Sequence, residues 1–152
     1  EDGTLWLEYP LVGGPSPKIE VKLEPASASL FRQSPVTLGS GKHRWVFASG
    51  YRGLSTLSLK LPRAKPRSFK VRLYCRAQPG QAGGSYDISL QGVKVLEVAQ
   101  PAGETGNGSA GVIHEIEGVR IESVLDLKLE PSGGRDSELP MVCGIELIEE
   151  GN

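Results

Sequence analysis

The chain has 152 residues, with 17 basic and 18 acidic side chains and a formal net charge of −1 at pH 7. This length suits one domain with its own core. The balanced charge, without a basic run interleaved with aromatic residues, argues against nucleic acid as a partner. No apolar run approaches the roughly 20 residues that cross a bilayer, so we expect no membrane partner either.

Glycine and proline divide the chain into short segments. The 20 Gly and 11 Pro residues fall in clusters between the apolar stretches, where they form turns. Within those stretches the apolar residues alternate, and no long window shows the i, i+3, i+4 spacing of an amphipathic helix. The pattern predicts an all-β fold, an antiparallel two-sheet β-sandwich.

Residues 1–18 open the chain and include a stretch, 11–17, with the Gly and Pro content of a linker. We expect this segment to enter and pack on a single domain formed by residues 19–150. A linker of this kind also predicts neighbouring domains in a longer parent protein.

The alternating segments predict about eight or nine strands. They cover residues 19–23, 44–48, 57–61, 69–75, 86–90, 93–96, 112–117, 124–129 and 141–148. In the strand at 44–48, Trp45 and Phe47 are predicted to face the core. A tight turn at Gln91 and Gly92 predicts a hairpin. The long polar loops 97–111 and 131–140 are typical of binding loops on a rigid scaffold.

The remaining chemistry of the sequence is sparse. Cys75 and Cys143 are both predicted to face inward, and spacing leaves open whether they form a disulfide. His43 and His114 lack the spacing of zinc ligands. No catalytic, phosphate-binding or dinucleotide motif is present, so we expect no enzyme and no cofactor. A structural calcium is an open alternative, but the sequence does not locate its ligands.

Three segments together resemble the malectin and malectin-like domains. They are Val71-Arg-Leu-Tyr-Cys75, the hairpin Tyr86-Asp-Ile-Ser-Leu-Gln-Gly-Val-Lys-Val-Leu96, and Met141-Val-Cys-Gly-Ile-Glu-Leu147. The resemblance covers residues 45–148. The first residues are also similar to the entry segment of malectin-like domains attached to large bacterial secreted proteins.

The resemblance implies a jelly-roll, galactose-binding-like sandwich that binds oligo- or polysaccharide, typically glucose-containing, without catalysis. It implies a module that targets a larger protein, secreted, periplasmic or at the cell surface. The family's His-Phe-Ala-Glu segment is replaced here by residues 74–77, Tyr-Cys-Arg-Ala, so the sugar specificity does not carry over. The alternative is a protein-interaction or packing module without sugar binding.

The resemblance also suggests binding residues at the loops. Tyr51, in a Gly-flanked loop predicted at 49–53, matches a binding tyrosine of malectin. Its neighbour Arg52 is either a bidentate donor to the sugar or a solvated turn residue. In the loop 133–139, Asp136 or Glu138 corresponds to a ligand-binding aspartate, and both remain candidates.

Further candidates lie outside these loops. Tyr74 points away from the core set of its strand, and with Arg76 it is predicted to form a platform on an exposed sheet face. Tyr9, near Trp6, either staples the N-terminal segment to the domain or extends the sugar-binding surface. Tyr86 is predicted to be structural. The resemblance favours two buried thiols over a disulfide.

Overall fold

The computed structural model describes residues 6–7, 9, 19–38, 41–62, 65–78, 80–81, 83–100, 111–134 and 139–151. These residues form ten strands, slightly more than the alternation predicts. The strands are β1 (Glu20–Glu24), β2 (Ser29–Arg32), β3 (Ser49–Arg52), β4 (Thr56–Lys60), β5 (Arg67–Arg76), β6 (Gly84–Leu90), β7 (Val93–Gln100), β8 (Gly111–Ile121), β9 (Val124–Pro131) and β10 (Met141–Glu149). A 3-10 turn, Pro35–Leu38, and a one-turn helix α1, Arg44–Phe47, lie between β2 and β3.

The strands form two five-stranded sheets. Sheet I has the order β1-β4-β9-β6-β7 and sheet II the order β2-β3-β10-β5-β8. Every strand pair is antiparallel. The predicted fold class, an antiparallel two-sheet β-sandwich, is confirmed.

The core lies between the two sheets and is built by alternation. Phe69, Val71, Leu73 and Cys75 of β5 all face sheet I and are at most 5% exposed. From the other side, β9 contributes leucines at every second position, 125, 127 and 129. Burying one face of each strand in this way is what stabilises a sandwich.

The hairpin of β6 and β7 forms where the sequence predicts it. Gln91 and Gly92 both adopt positive φ, 52° and 77°, as a two-residue turn of this hand requires. The Gln91 side chain also accepts a hydrogen bond from Asp126 N and donates one to Val124 O, each at 2.8 Å. The turn is therefore held to the start of β9.

Residues 44–48 do not form the predicted strand. Val46 N and Phe47 N both donate to His43 O, at 2.8 and 3.2 Å, and close one helical turn. Val46 and Phe47 are buried in the same cluster, whereas neighbouring side chains of a strand point to opposite faces. Trp45 is consequently 50% exposed, and its predicted place in the core is wrong.

Helix α1 covers the outer face of sheet II. Val46 and Phe47 pack on Tyr74 of β5 in a second apolar cluster. A glycine permits this approach, since a Cβ at Gly144 of β10 would lie 2.9 Å from Val46 Cγ1. Tyr74 is fully buried beneath the helix, so the predicted exposed platform at Tyr74 is wrong.

The two cysteines are free thiols, as expected. Cys75 belongs to the core between the sheets, whereas the half-buried Cys143 packs with the cluster under α1. The register of β10 against β5 shifts between Val142 and Gly144, which turns Cys143 outward. The sheet itself therefore separates the two sulfur atoms.

Two features are absent from the described ranges. No helix in this part of the chain is long and apolar enough to cross a membrane. No group of three His, Cys, Asp or Glu side chains in the same part is placed to hold a metal ion.

Candidate binding cleft at the open edge of the sandwich

The site lies along the part of β10 that extends beyond its short neighbour, strand β3. Strand β3 has four residues and pairs with β10 at one position, Val142 opposite Tyr51. Beyond Val142, one edge of β10 has no strand partner within the described ranges. The sandwich is open along that edge.

A cleft of about 990 Å³ follows this edge, and we call it the edge cleft. Its floor consists of leucine, valine and isoleucine side chains from β1, β4 and β10. Five aromatic side chains line it: Phe69, which belongs to the core, and Trp6, Tyr9, Trp45 and Tyr51. The polar groups on its wall include Arg67 and Glu146.

The aromatic wall is fixed by ring contacts. Trp6 packs edge-on against Trp45 at a centroid distance of 4.9 Å and against Tyr74 at 5.5 Å. Tyr74 in turn contacts the rings of His43 and Phe47 at 5.6 and 5.7 Å. These are favourable aromatic geometries, so the half-exposed Trp45 ring is held on a packed base.

A charged network lies below the aromatic wall. The Tyr74 hydroxyl donates to Glu146 Oε2 at 2.9 Å, and Arg72 Nη1 donates to the same oxygen at 3.3 Å. Arg72 also binds Glu115 through Nε at 2.6 Å. Burial, followed by the bond to Glu146, raises the pKa of Tyr74 to about 12. The phenol therefore stays protonated and donates to the carboxylate.

Two of the predicted binding residues meet in the cleft. Tyr9 and Tyr51 have ring centroids 6.1 Å apart. Burial, and then the neighbouring Tyr9, raise the pKa of Tyr51, while Arg32 lowers it. Tyr51 lies in strand β3 and not in the predicted loop, and its side chain packs against the core from the edge.

The other predicted residues are elsewhere. Arg52 follows Tyr51 in β3 and points to the opposite face of the sheet, where its guanidinium covers the Phe31 ring. Arg76 is only 3% exposed, so its predicted place on an exposed platform is wrong. Asp136 and Glu138 lie outside the described residues. Tyr86 is buried and its hydroxyl is 3.1 Å from His114 Nε2, which confirms its structural role.

Sequence reasoning missed two features of the cleft. The alternation of its segment predicts Trp45 in the core, whereas the helical turn buries Val46 and Phe47 in one cluster and leaves Trp45 half-exposed. Glu146 carried a usable signal, since it lies between the apolar residues Ile145 and Leu147 in the middle of β10. A charged residue in such a strand is buried only with partners, and Tyr74 and Arg72 supply them.

Comparison with known proteins finds likeness in structure alone. No protein-family model matches the chain, and no curated protein matches it. Three solved structures illustrate the structural likeness. One is an exo-β-1,3-galactanase from Phanerochaete chrysosporium with galactose, at 15% identity and a TM-score of 0.47, with 80% of this chain and 26% of that chain covered. Another is the family 35 carbohydrate-binding module of Cellvibrio japonicus Abf62, at 11% identity and a TM-score of 0.44, with 86% of this chain and 92% of that chain covered. The third is a family 35 carbohydrate-binding module from Clostridium thermocellum, at 13% identity and a TM-score of 0.35, with 86% of this chain and 99% of that chain covered.

This chain therefore spans about a quarter of the length of the galactanase, at 26%. At such identities a structural likeness does not transfer a ligand or an activity from one protein to another.

Proposed function

We propose that the protein is a non-catalytic carbohydrate-binding module whose ligand lies in the edge cleft. The observation that carries this proposal is the convergence of Trp6, Tyr9, Trp45 and Tyr51 on one cleft. Pyranose rings present flat C–H faces, which bind to fixed aromatic surfaces, and polar groups nearby then orient the hydroxyls.

The cleft has both components. Trp45 presents a half-exposed ring that is supported by Trp6 and, through it, by Tyr74. Arg67, whose Nη1 binds Glu149 Oε2 at 2.9 Å, keeps a buried Nε without a partner. The Arg67 side chain is 26% exposed, so the outer nitrogen atoms of its guanidinium are the donors available to a sugar hydroxyl.

The finer features of the proposal rest on the resemblance to malectin-like domains. They are recognition of oligo- or polysaccharide, a glucose-containing glycan being the first to test, and targeting of a larger protein that is secreted, periplasmic or at the cell surface. Neighbouring domains of that parent protein are proposed as further partners.

Tryptophan fluorescence offers a direct test, because both tryptophans of the chain, Trp6 and Trp45, line the cleft. We expect a saturable change in emission on titration with a bound polysaccharide. Trp45→Ala should weaken retention of the protein in an affinity gel by at least about tenfold, since stacking on an aromatic ring is lost. The same loss is expected for Tyr51→Ala.

The matched control is Val93→Ala. Val93 is 63% exposed on β7, at the opposite edge of sheet I from β1, and does not line the cleft. This variant should bind like the parent. If Trp45→Ala and Tyr51→Ala also bind glycan like the parent, the edge cleft is not the binding site.

A second function is favoured by the floor of the cleft. Its leucine, valine and isoleucine side chains would also suit an apolar segment of a neighbouring domain. A glycan panel without any retained polysaccharide would contradict sugar binding and favour this packing role.

A further inference from the structure

Two arginines flank one aromatic ring on the outer face of sheet II. The Arg52 Cζ atom lies 3.9 Å from the Phe31 ring centroid, and the Arg76 Cζ atom lies 5.7 Å from it. Both residues alternate with inward-facing neighbours, Tyr51 and Cys75, so they share the outer face. The structure thus brings two residues from separate strands into one cationic cluster.

Neither arginine has a carboxylate partner among the residues that the structure describes. Arg76 donates from Nη1 to Phe47 O at 3.0 Å and from Nη2 to Gln33 Oε1 at 3.1 Å, and both acceptors are neutral. Arg52 makes no side-chain hydrogen bond or ion pair in the described part of the chain. The Nε atoms of both residues are enclosed and without a hydrogen-bond partner.

Other arginines of the same sheet are neutralised. Arg67 pairs with Glu149 at 2.9 Å, and Arg72 pairs with Glu115 at 2.6 Å. The contrast matters because Arg76 is the most buried arginine of the three, at 3% exposure. A buried cation is ordinarily paired with an opposite charge, since its desolvation is otherwise uncompensated.

The electrostatics of the cluster agree with an unfilled anion site. Burial is the largest cause of the lowered pKa of the Arg76 guanidinium; Cys143 raises this pKa, and the nearby Arg52 lowers it. Arg52 is only partly buried, so the ends of its guanidinium are accessible from solvent. A planar guanidinium that is stacked on a ring keeps its donors in a fixed fork, which matches an oxyanion.

We propose that Arg52 and Arg76 bind the oxyanion of an acidic saccharide, either a uronate carboxylate or a sulfate ester. Arg52 donates directly to the oxyanion, and Arg76 supplies a fixed positive charge behind it. The saccharide part of this proposal rests on the proposed function, whereas the oxyanion site rests on the cluster itself.

The first test uses inorganic sulfate as the probe and thermal unfolding as the readout, against chloride at equal ionic strength. Sulfate stabilises proteins in general, so a specific sulfate site is recognised by the difference between the parent and its variants. Arg52→Gln should lose the saturable, low-concentration part of the sulfate-dependent rise in Tm. Arg120→Gln, a control at an exposed arginine of β8, should keep it.

Arg52→Lys refines this test. It keeps the charge but removes the planar fork, so we expect sulfate to bind it several-fold more weakly than the parent. A parent protein with the same Tm in sulfate and chloride would overturn the oxyanion site. So would an Arg52→Gln variant with an unchanged sulfate response.

The second test compares a polyuronate, a sulfated polysaccharide and a neutral polysaccharide in affinity gels. Arg52→Gln should bind one of the two acidic polymers at least about tenfold more weakly than Arg120→Gln does, with neutral binding unchanged. Which polymer responds distinguishes carboxylate from sulfate. Neutral glycan bound through the edge cleft, with acidic glycan bound no better, would overturn this inference and leave the proposed function standing.

A third outcome would overturn the saccharide part and leave the oxyanion site standing. If sulfate raises the Tm through Arg52 but no polysaccharide of any kind is retained, the oxyanion does not come from a saccharide. The proposed function would fail by the same result.

Discussion

Glu146 is a buried carboxylate among the apolar residues of β10, whose other carboxylate, Glu149, is exposed at the end of the strand. Glu146 is 8% exposed and accepts hydrogen bonds from the Tyr74 hydroxyl and from Arg72. A buried carboxylate of this kind stabilises the fold only while its partners are present, because removal of one leaves charge without compensation.

Tyr74→Phe should therefore lower the free energy of unfolding by about 1 to 3 kcal/mol, since Glu146 loses a buried donor. Urea unfolding measures the change. Tyr9→Phe is the control, because Tyr9 is 41% exposed and its hydroxyl has no partner among the described residues; its effect should stay within about 0.5 kcal/mol. Equal effects of the two substitutions would contradict the role of the buried bond.

His114 makes stability depend on pH. It is 8% exposed, its Nε2 is 3.1 Å from the Tyr86 hydroxyl, and burial lowers its pKa from about 6.5. The unfolded chain thus binds a proton more readily than the folded protein does. The contribution of neutral His114 is fully present above about pH 6.5 and is lost as the pH falls toward the lowered folded pKa.

The free energy of unfolding, measured at a series of pH values from about 8 to about 5, tests this direction. The range extends roughly one to two pH units to either side of the ordinary histidine pKa. His114→Gln should flatten the loss of stability at low pH. His43→Asn is the matched control, because asparagine tolerates the left-handed backbone of residue 43, at φ 59°, and the chain has only these two histidines. A parent curve without any loss below pH 6.5 would contradict the account.

At the scale of elements, the position of Tyr51 depends on how β3 meets β10. The strands touch at one register position, and Gly50 makes the approach possible. A Cβ at Gly50 would lie 2.6 Å from Val142 O, which belongs to the backbone and cannot move aside as a side chain could.

Gly50→Ala should accordingly destabilise the domain by roughly 2 kcal/mol or more and displace Tyr51 from the cleft. Denaturant unfolding reports the first effect, and weakened glycan binding reports the second. Gly41→Ala, where an added Cβ has no neighbour within 4 Å, should change the stability by no more than about 0.5 kcal/mol. A tolerated Gly50→Ala would show that β3 and β10 can separate without cost.

Strands were predicted well where the alternation of apolar and polar residues continues over many residues. Strands such as β5, β9 and the β6–β7 hairpin were found because half of their side chains face one core. The four-residue strands β2 and β3 and the helix α1 are too short for a period to emerge, and tertiary contacts decide their conformation.

At the scale of the whole molecule, the sandwich keeps its two thiols apart. Cys75 lies in the core between the sheets and Cys143 packs under α1, outside sheet II. Burial raises the pKa of both thiols, that of Cys143 to about 12.

The native protein should therefore react slowly with a thiol-specific reagent at about pH 8, close to the ordinary thiol pKa of about 8.5. In the unfolded protein both thiols should react at once, with two equivalents of reagent consumed per chain. The intact mass should be the same with and without reductant. Rapid reaction of both thiols in the native protein would contradict their burial.

The sequence by itself determined the fold class, because alternating apolar residues and turn-forming glycines and prolines leave an antiparallel sandwich as the way to bury one face of each strand. It also marked Tyr9 and Tyr51 as candidate binding residues. Only the tertiary structure decided which residues act together: it placed Tyr51 on the inner side of β3 and Arg52 on the outer side, buried Tyr74 and Arg76, and exposed Trp45. The reason is physical, since alternation fixes which side of a strand a residue faces, while a covering helix or a missing neighbour decides which side meets solvent.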